Sequence, residues 1–165
     1  MSPQRHVLPS DPANFRTVLG HFATGIALVT AMNGEEPVGM ACNSFTSVSL
    51  EPQLVLFCAA KSSTTWPSIE AAGKWAANIL DEDGEETCRR FAQRGVDRFA
   101  HLAYSIGRTG SPILDHALAF VDCETDAIHD AGDHVIVVGR VLELGYAGEG
   151  KPLLFYRGGY GRFEI

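Results

Sequence analysis

Short strand-like runs of β-forming residues, some alternating apolar with polar positions and some continuously apolar, dominate this chain, and a helical period appears in only a few short stretches. Residues 1–10 read as a flexible, polar, proline-bearing arm. Ser10 or Asp11 then caps a helix with Pro12 in its first turn. Phe15, Val18, Leu19 and Phe22 follow at i, i+3, i+4 and i+7, one apolar stripe that Gly20 weakens and Gly25 ends. Residues 26–32 predict a strand, and Asn33-Gly34 a hairpin returning along residues 37–42. On that return strand Val38, Met40 and Cys42 face one way, while Gly39 and Ala41 leave the other face nearly bare. Residues 44–50 alternate again, Glu51-Pro52 interrupts them, and residues 53–60 form a continuous apolar run expected to be buried on both faces.

Polar residues 61–65 then feed a short capped helix from Trp66, closed by Gly73, and residues 75–80 predict a strand. Asp83 with Glu86 has the form of a capping box for a helix running through Phe91. Residues 93–101 are a polar, cationic connection before short strands around Tyr104 and at residues 112–114. Residues 118–128 predict a long strand whose apolar phase changes near Phe120-Val121, the mark of a bulge. A turn at residues 130–133 leads to the clearest strand, residues 134–144, with a bend at Gly139. Terminal strands at residues 153–156 and 160–163 flank Gly158-Gly159. About eight strands with two or three helices and no regular strand–helix alternation predict a mainly β protein, a small closed barrel with helices packed outside.

Composition narrows the class of partner. The 165 residues, 45% hydrophobic and 20% charged, suit one domain over residues 11–165. A net charge of −7 argues against a nucleic-acid backbone or an anionic membrane as partner, though a local basic pocket is compatible with it. Cys42, Cys58, Cys88 and Cys123 form no CxxC pair and have no histidine at zinc-ligand spacing, so no metal is expected, and Cys42 and Cys58, in apolar strand contexts, read as small buried hydrophobes rather than redox groups. No apolar stretch approaches the ~18 residues of a membrane span, and the N-terminus lacks a signal-peptide run, which predicts a cytoplasmic protein.

The chemistry is expected to belong to a cofactor, because no GxSxG, HExxH, GxGxxG or phosphate-loop motif is present. Residues 39–63 are the candidate cradle. Small residues let a flat ligand approach the backbone, and Ser44, Thr46, Ser47 and Ser49 offer hydroxyls, a pattern that suits a flavin but also an ordinary exposed strand face. Lys61, Ser62 and Ser63 suit a phosphate and equally a plain helix cap. Arg94, Arg98 and Arg89 or Arg90 are cations for a second phosphate contact or for solvent. His134 heads the strongest strand, and Arg157 stands between Tyr156 and Tyr160 beside glycines, a place for planar groups to stack.

Several segments in one order, FRTVLGHFATGIALVTA, GMACNSFTSVSLEPQLVLF, WAANIL, DRFAH, GSPIL, GDHVIVVGRV and PLLFYRGGY, resemble the short-chain flavin reductase family. These are the small reductase partners of two-component flavin-dependent monooxygenases, and the nearest resemblance is to the steroid-ring-degrading and nitrilotriacetate branches. The resemblance implies an FMN-binding split barrel with a Greek-key core, a homodimer, and NADH- or NADPH-dependent reduction of FMN or FAD for a separate oxygenase. It further implies that Gly39, Met40, Ala41, Cys42, Asn43 and Ser44 line the ring edge, with Ser47, Val48 and Ser49 beside it. Cys58, Ala59, Ala60, Lys61, Ser62 and Ser63 would follow the ribityl chain and phosphate, and Arg98 and Phe99 would close the site. His134, as the catalytic residue, would face the nicotinamide with Arg157 and Tyr160. Cys42-Asn43 departs from the Thr-Ala run of many relatives. The competing readings are a split-barrel oxidase of the pyridoxamine-phosphate-oxidase type and a non-catalytic β-barrel binding module.

Overall fold

Asp11 starts the first helix by accepting the Asn14 amide at 2.9 Å, and α1 (Pro12–Leu19) follows with proline in its first turn. The computed structural model describes residues 4–164, so the first three residues of the expected arm and Ile165 lie outside the described residues. The helix stops at Gly20 rather than running to Gly25. None of its residues is buried, and Phe15 and Phe22 are 63% and 76% exposed. The predicted stripe therefore faces outward in this chain.

Strands β1 (Thr24–Gly25), β2 (Ala27–Asn33), β3 (Glu36–Cys42), β4 (Thr46–Leu50) and β5 (Gln53–Ala60) come next. Asn33 pairs with Glu36, so Gly34-Glu35 forms the hairpin turn and Gly34, at φ 66°, holds its left-handed position. The turn is one residue further on than the Asn-Gly dipeptide predicts. After α2 (Trp66–Ala72), left-handed Gly73 and β6 (Lys74–Leu80), α3 (Glu85–Ala92) begins at Gly84 without a side-chain cap. The expected capping box does not form, because Asp81 accepts the Asp83 amide at 3.2 Å and ties up the turn. The chain continues through β7 (Tyr104–Ile106), β8 (Pro112–Leu114), β9 (Ala117–Ala131), β10 (His134–Tyr146), β11 (Leu153–Tyr156) and β12 (Gly159–Arg162).

Seven antiparallel strands form one sheet in the order β3-β2-β6-β9-β10-β5-β4. The β9–β10 hairpin lies between β6 and β5, so the chain crosses over between those two successive strands, which is Greek-key connectivity. The edge strands β3 and β4 do not pair with each other, so the barrel is split, and the mainly β expectation holds with more strands than the hydrophobic pattern displays. The strand without a counterpart in the sequence reading is β1, whose two residues are too few to establish a period. Bulges fall at Leu118 and Asp126 of β9 and at Leu142 of β10, where pairing skips a residue; at Phe120-Val121 the ladder is continuous.

The barrel interior is filled by alternate residues of β2, β5, β6 and β10, among them Val29, Phe57, Trp75 and Val137. Phe57 meets Trp75 edge-on, ring centroids 4.8 Å apart. A second core lies outside the barrel wall, where Leu28, Leu80, Cys88, Phe91, Leu114 and Leu153 gather under α3 and β8. β5 is not buried on both faces: Val55, Phe57 and Ala59 point inward, while Leu54, Leu56, Cys58 and Ala60 are only half-buried. A continuous apolar run conceals that difference from the sequence.

Candidate functional site

α3 decides what β3 can present. A β-carbon on Gly39 would lie 2.6 Å from Cε1 of Phe91, so this glycine makes room for the Phe91 ring. The face expected to be bare is thus closed at Gly39, and Phe91 in turn stacks edge-on against Phe99 at 5.1 Å. Met40 and Cys42 turn into the barrel core, which leaves their backbone and Ala41 as the accessible features. Cys42 is half-buried, and burial pushes its thiol up to about 12 against the opposing pull of Ser44. Burial, reinforced by Asp122, likewise pushes Cys123 up to about 12. At pH 8 such thiols are ~10⁻⁴ ionised, and the thiolate is the reactive form. Native protein treated with iodoacetamide at pH 8 should therefore leave Cys42 and Cys123 unmodified by mass spectrometry, with both alkylated after unfolding.

Ser44 stitches the split in the barrel. Its hydroxyl accepts the Cys58 amide at 2.9 Å and donates to the Cys58 carbonyl at 3.3 Å, so the exit of β3 is clasped to β5. The hydroxyl expected at a ring edge is already committed. On β4, Ser47 and Val48 are exposed and Ser49 is half-buried.

Along β3 the predicted residues fall into three recesses. The first, about 280 Å³, is lined by Gly39, Thr65, Ser68, Arg98 and Phe99 among others. There Arg98 donates to the Gly39 carbonyl at 2.7 Å and the Thr65 hydroxyl at 2.6 Å, and twice to the Gln93 carbonyl. Partial burial lowers the affinity of this guanidinium for its proton. The second recess, about 150 Å³, joins Ala41, Cys42 and Asn43 to Cys88, Phe155 and Tyr160. Tyr160 lies 3.5 Å from Cys88 Sγ and beneath Arg89, whose guanidinium carbon is 4.6 Å from the ring centroid. The contact with Cys88, together with burial, pushes the phenol up to about 12. The third is a cleft of about 650 Å³ between α1 and the β11–β12 turn, lined by Phe15, Arg16, Phe22, Asn43, Phe155 and Arg157.

A fourth group sits where β5 ends and β10 begins. His134 pairs with Ala60, and the Lys61 amide donates to the Asp133 carbonyl at 2.9 Å. His134 Nδ1 lies 2.7 Å from Asp133 Oδ1, and this hydrogen bond holds the carboxyl below its usual range. With Nδ1 engaged, Nε2 is the nitrogen left for a ligand. Lys61 Nζ pairs with Asp130 at 3.0 Å. Ser63 accepts the Thr65 and Trp66 amides, both at 3.2 Å, and so ties the turn that leads into α2, whose N-cap Thr65 makes no side-chain cap bond; Ser62 is exposed.

The fold therefore brings Gly39 to Arg98 and Phe99, Ala41 and Cys42 to Tyr160, Asn43 to Arg157, and Lys61 to His134, but gathers no single cavity from all of them. Sequence reasoning missed Thr65, Cys88, Phe155 and Arg16. Cys88 and Phe91 share a helical face at i, i+3 and were legible only as core. Thr65 carried no signal, since its partner Arg98 is distant in the chain.

The split barrel thus presents an aromatic-walled cleft and a polar strand end, a concave site able to take a planar ligand. Residues 19–164 match the flavin reductase like domain, and the chain belongs to that family. It is 47% identical over 154 residues to the reductase subunit HsaB of a flavin-dependent monooxygenase from Rhodococcus jostii, covering 93% of this chain and 79% of that protein. Among solved structures, nitrilotriacetate monooxygenase component B from Mycobacterium thermoresistibile superposes with a TM-score of 0.90 at 45% identity, over 92% of this chain and 86% of the other. The NADH:FAD oxidoreductase SgcE6 of Streptomyces globisporus, in complex with NAD and FAD fragments, superposes with a TM-score of 0.90 at 35% identity, over 98% of each chain.

Proposed function

We propose that this protein is an NADH-dependent flavin reductase that reduces FMN or FAD and releases it to a separate oxygenase component. In this reading residues 11–165 act as one domain, working as a homodimer in the cytoplasm. The observation that carries it is the family match across residues 19–164. The residues fit the group: Asn43 and Phe155 line both the recess at Ala41 and Cys42 and the cleft of about 650 Å³, so a planar ring held at residues 41–43 has an aromatic wall beside it and room in the cleft for the rest of the ligand. Polar Lys61 and Ser62 stand exposed at the neighbouring strand end to meet a phosphate.

Bound flavin supplies the hydride acceptor and the nicotinamide supplies the hydride. The chain's own part is positioning. Backbone groups of Ala41, Cys42 and Asn43 hold the polar edge of the ring, and Ser44 keeps that strand exit in place through Cys58. Arg98 fixes the Gly39 carbonyl, and Phe99 backs Phe91. Tyr160 stays protonated throughout the working pH range and serves as a stacking surface and donor. His134 Nε2 hydrogen-bonds the nicotinamide side, so no proton transfer is asked of it.

His134→Ala is expected to raise KM for NADH about fivefold, the worth of one lost hydrogen bond, with KM for flavin within about twofold of wild type. Unchanged NADH constants would remove the role given to His134. The supply step is tested anaerobically: NADH should bleach FMN or FAD in the presence of the protein, and ultrafiltration should find the reduced flavin in the filtrate. Reduced flavin retained with the protein would contradict release to a second component.

A further inference from the structure

Arg16 of α1 and Arg157 of the β11–β12 turn line the same cleft, and the fold leaves both cations unused. Arg89, Arg90, Arg140 and Arg162 each reach a carboxylate, whereas among the described residues neither Arg16 nor Arg157 forms a salt bridge. In a chain of net charge −7, two such arginines on one cleft make a local positive field.

The backbone at Arg157 gives a second, independent argument. Tyr156 pairs with Gly159, so Arg157 and Gly158 form a two-residue turn with φ 51° and 79°. Both central positions are left-handed, the geometry that Asn-Gly fills best, and a long side chain at the first of them is disfavoured. Arg157 N–H donates to the Gly20 carbonyl at 2.9 Å, which fastens the turn to the end of α1 and sets the two cleft walls together. An unfavourable residue held there, with its guanidinium at a cleft and no internal partner, is accounted for by a ligand. Between the cations lie Phe15, Phe22 and Phe155, apolar surface for a planar base, and Asn43 adds one amide.

We propose that Arg157, assisted by Arg16, grips the pyrophosphate of a dinucleotide laid along this cleft, with its base against the phenylalanine walls. The guanidinium fork matches phosphate oxygens bidentately, which a lysine would not reproduce. The shared chemistry is the ADP portion of NADH or of FAD, and the identity of these two nucleotides rests on the reductase reading.

Arg157→Asn is the informative variant, because asparagine suits the left-handed turn and removes the cation. Its melting temperature should equal or exceed that of wild type, while calorimetric affinity for ADP-ribose should fall about tenfold, the value of a charge-assisted hydrogen-bond pair. Affinity for adenosine, which lacks the pyrophosphate, should not change. Arg16→Gln, on an exposed helix face, should weaken ADP-ribose about threefold, and both variants should flatten the salt dependence of binding. A rise in KM for NADH with either flavin names NADH as the occupant; a rise for FAD alone, with FMN unaffected, names FAD. Wild-type protein that does not bind ADP-ribose, or variants that melt normally and bind it as wild type does, would overturn the proposal. ADP-ribose binding needs no turnover, so protein that binds it through Arg157 yet oxidises no NADH would contradict the reductase reading and leave this inference standing.

Discussion

Gly139→Ala is expected to lower the melting temperature by about 10 °C. An added β-carbon would lie 2.4 Å from Cζ2 and 2.8 Å from Cη2 of Trp75, and 3.0 Å from Cβ of Cys123. Trp75 has no room to retreat: it is fully buried, packed edge-on against Phe57, and its indole N–H donates to Thr125 Oγ1 at 3.2 Å. Overpacking of this kind costs about 3 kcal/mol at the upper end of its range, and a domain of this size loses roughly 2–4 °C per kcal/mol. The strain is one of contact, because Gly139 is not among the positive-φ residues of the chain. Combining Gly139→Ala with Trp75→Phe should therefore recover part of the loss in a double-mutant cycle. A Gly139→Ala protein melting within about 2 °C of wild type would contradict the packing described for the barrel interior.

Asn78→Ala is expected to be as damaging, through polar rather than steric failure. Asn78 is fully buried on β6, accepts the Leu114 amide at 2.8 Å, and donates to the Leu28 carbonyl at 3.1 Å and the Thr30 hydroxyl at 3.0 Å. Thr30 in turn donates to the Pro112 carbonyl at 2.6 Å. These bonds dock β8 onto β2 and β6 and so hold the second core closed beneath α3. Alanine leaves the Leu114 amide without its partner in an apolar surround, at a cost of about 3 kcal/mol. The local signature is faster hydrogen exchange at Leu114, together with a fall of about 6–12 °C in melting temperature. Protection at Leu114 equal to wild type would show that Asn78 does not dock β8.

How much of this could be read from the sequence depended on how local the cause was. α2 with its left-handed Gly73 and strand β6 follow from neighbouring residues and stand as expected, whereas Gly139, expected to mark a bend, makes room for Trp75. The family could be recognised because its segments recur in order, and the split barrel came with it. The details of the site were less accessible. Gly39 suits a flat ligand and an aromatic ring equally, and only the packing of α3 shows that Phe91 takes the place. Ser44 and Ser63 were legible as hydroxyls near a ligand, yet each satisfies backbone groups that the sequence does not mark, at Cys58 and at the start of α2. Asp83 failed as a cap because Asp81 competes for its amide. Arg16, on a helix that buries nothing, became a candidate only when the fold set it across a cleft from Arg157.

The measurement that tests the central claim most directly is the steady-state loss of NADH absorbance with purified protein and free flavin in air. NADH should be consumed in proportion to protein when FMN or FAD is supplied, and should stay constant when flavin is left out. A flat trace with both flavins and with both NADH and NADPH would contradict the assignment of this chain as a flavin reductase.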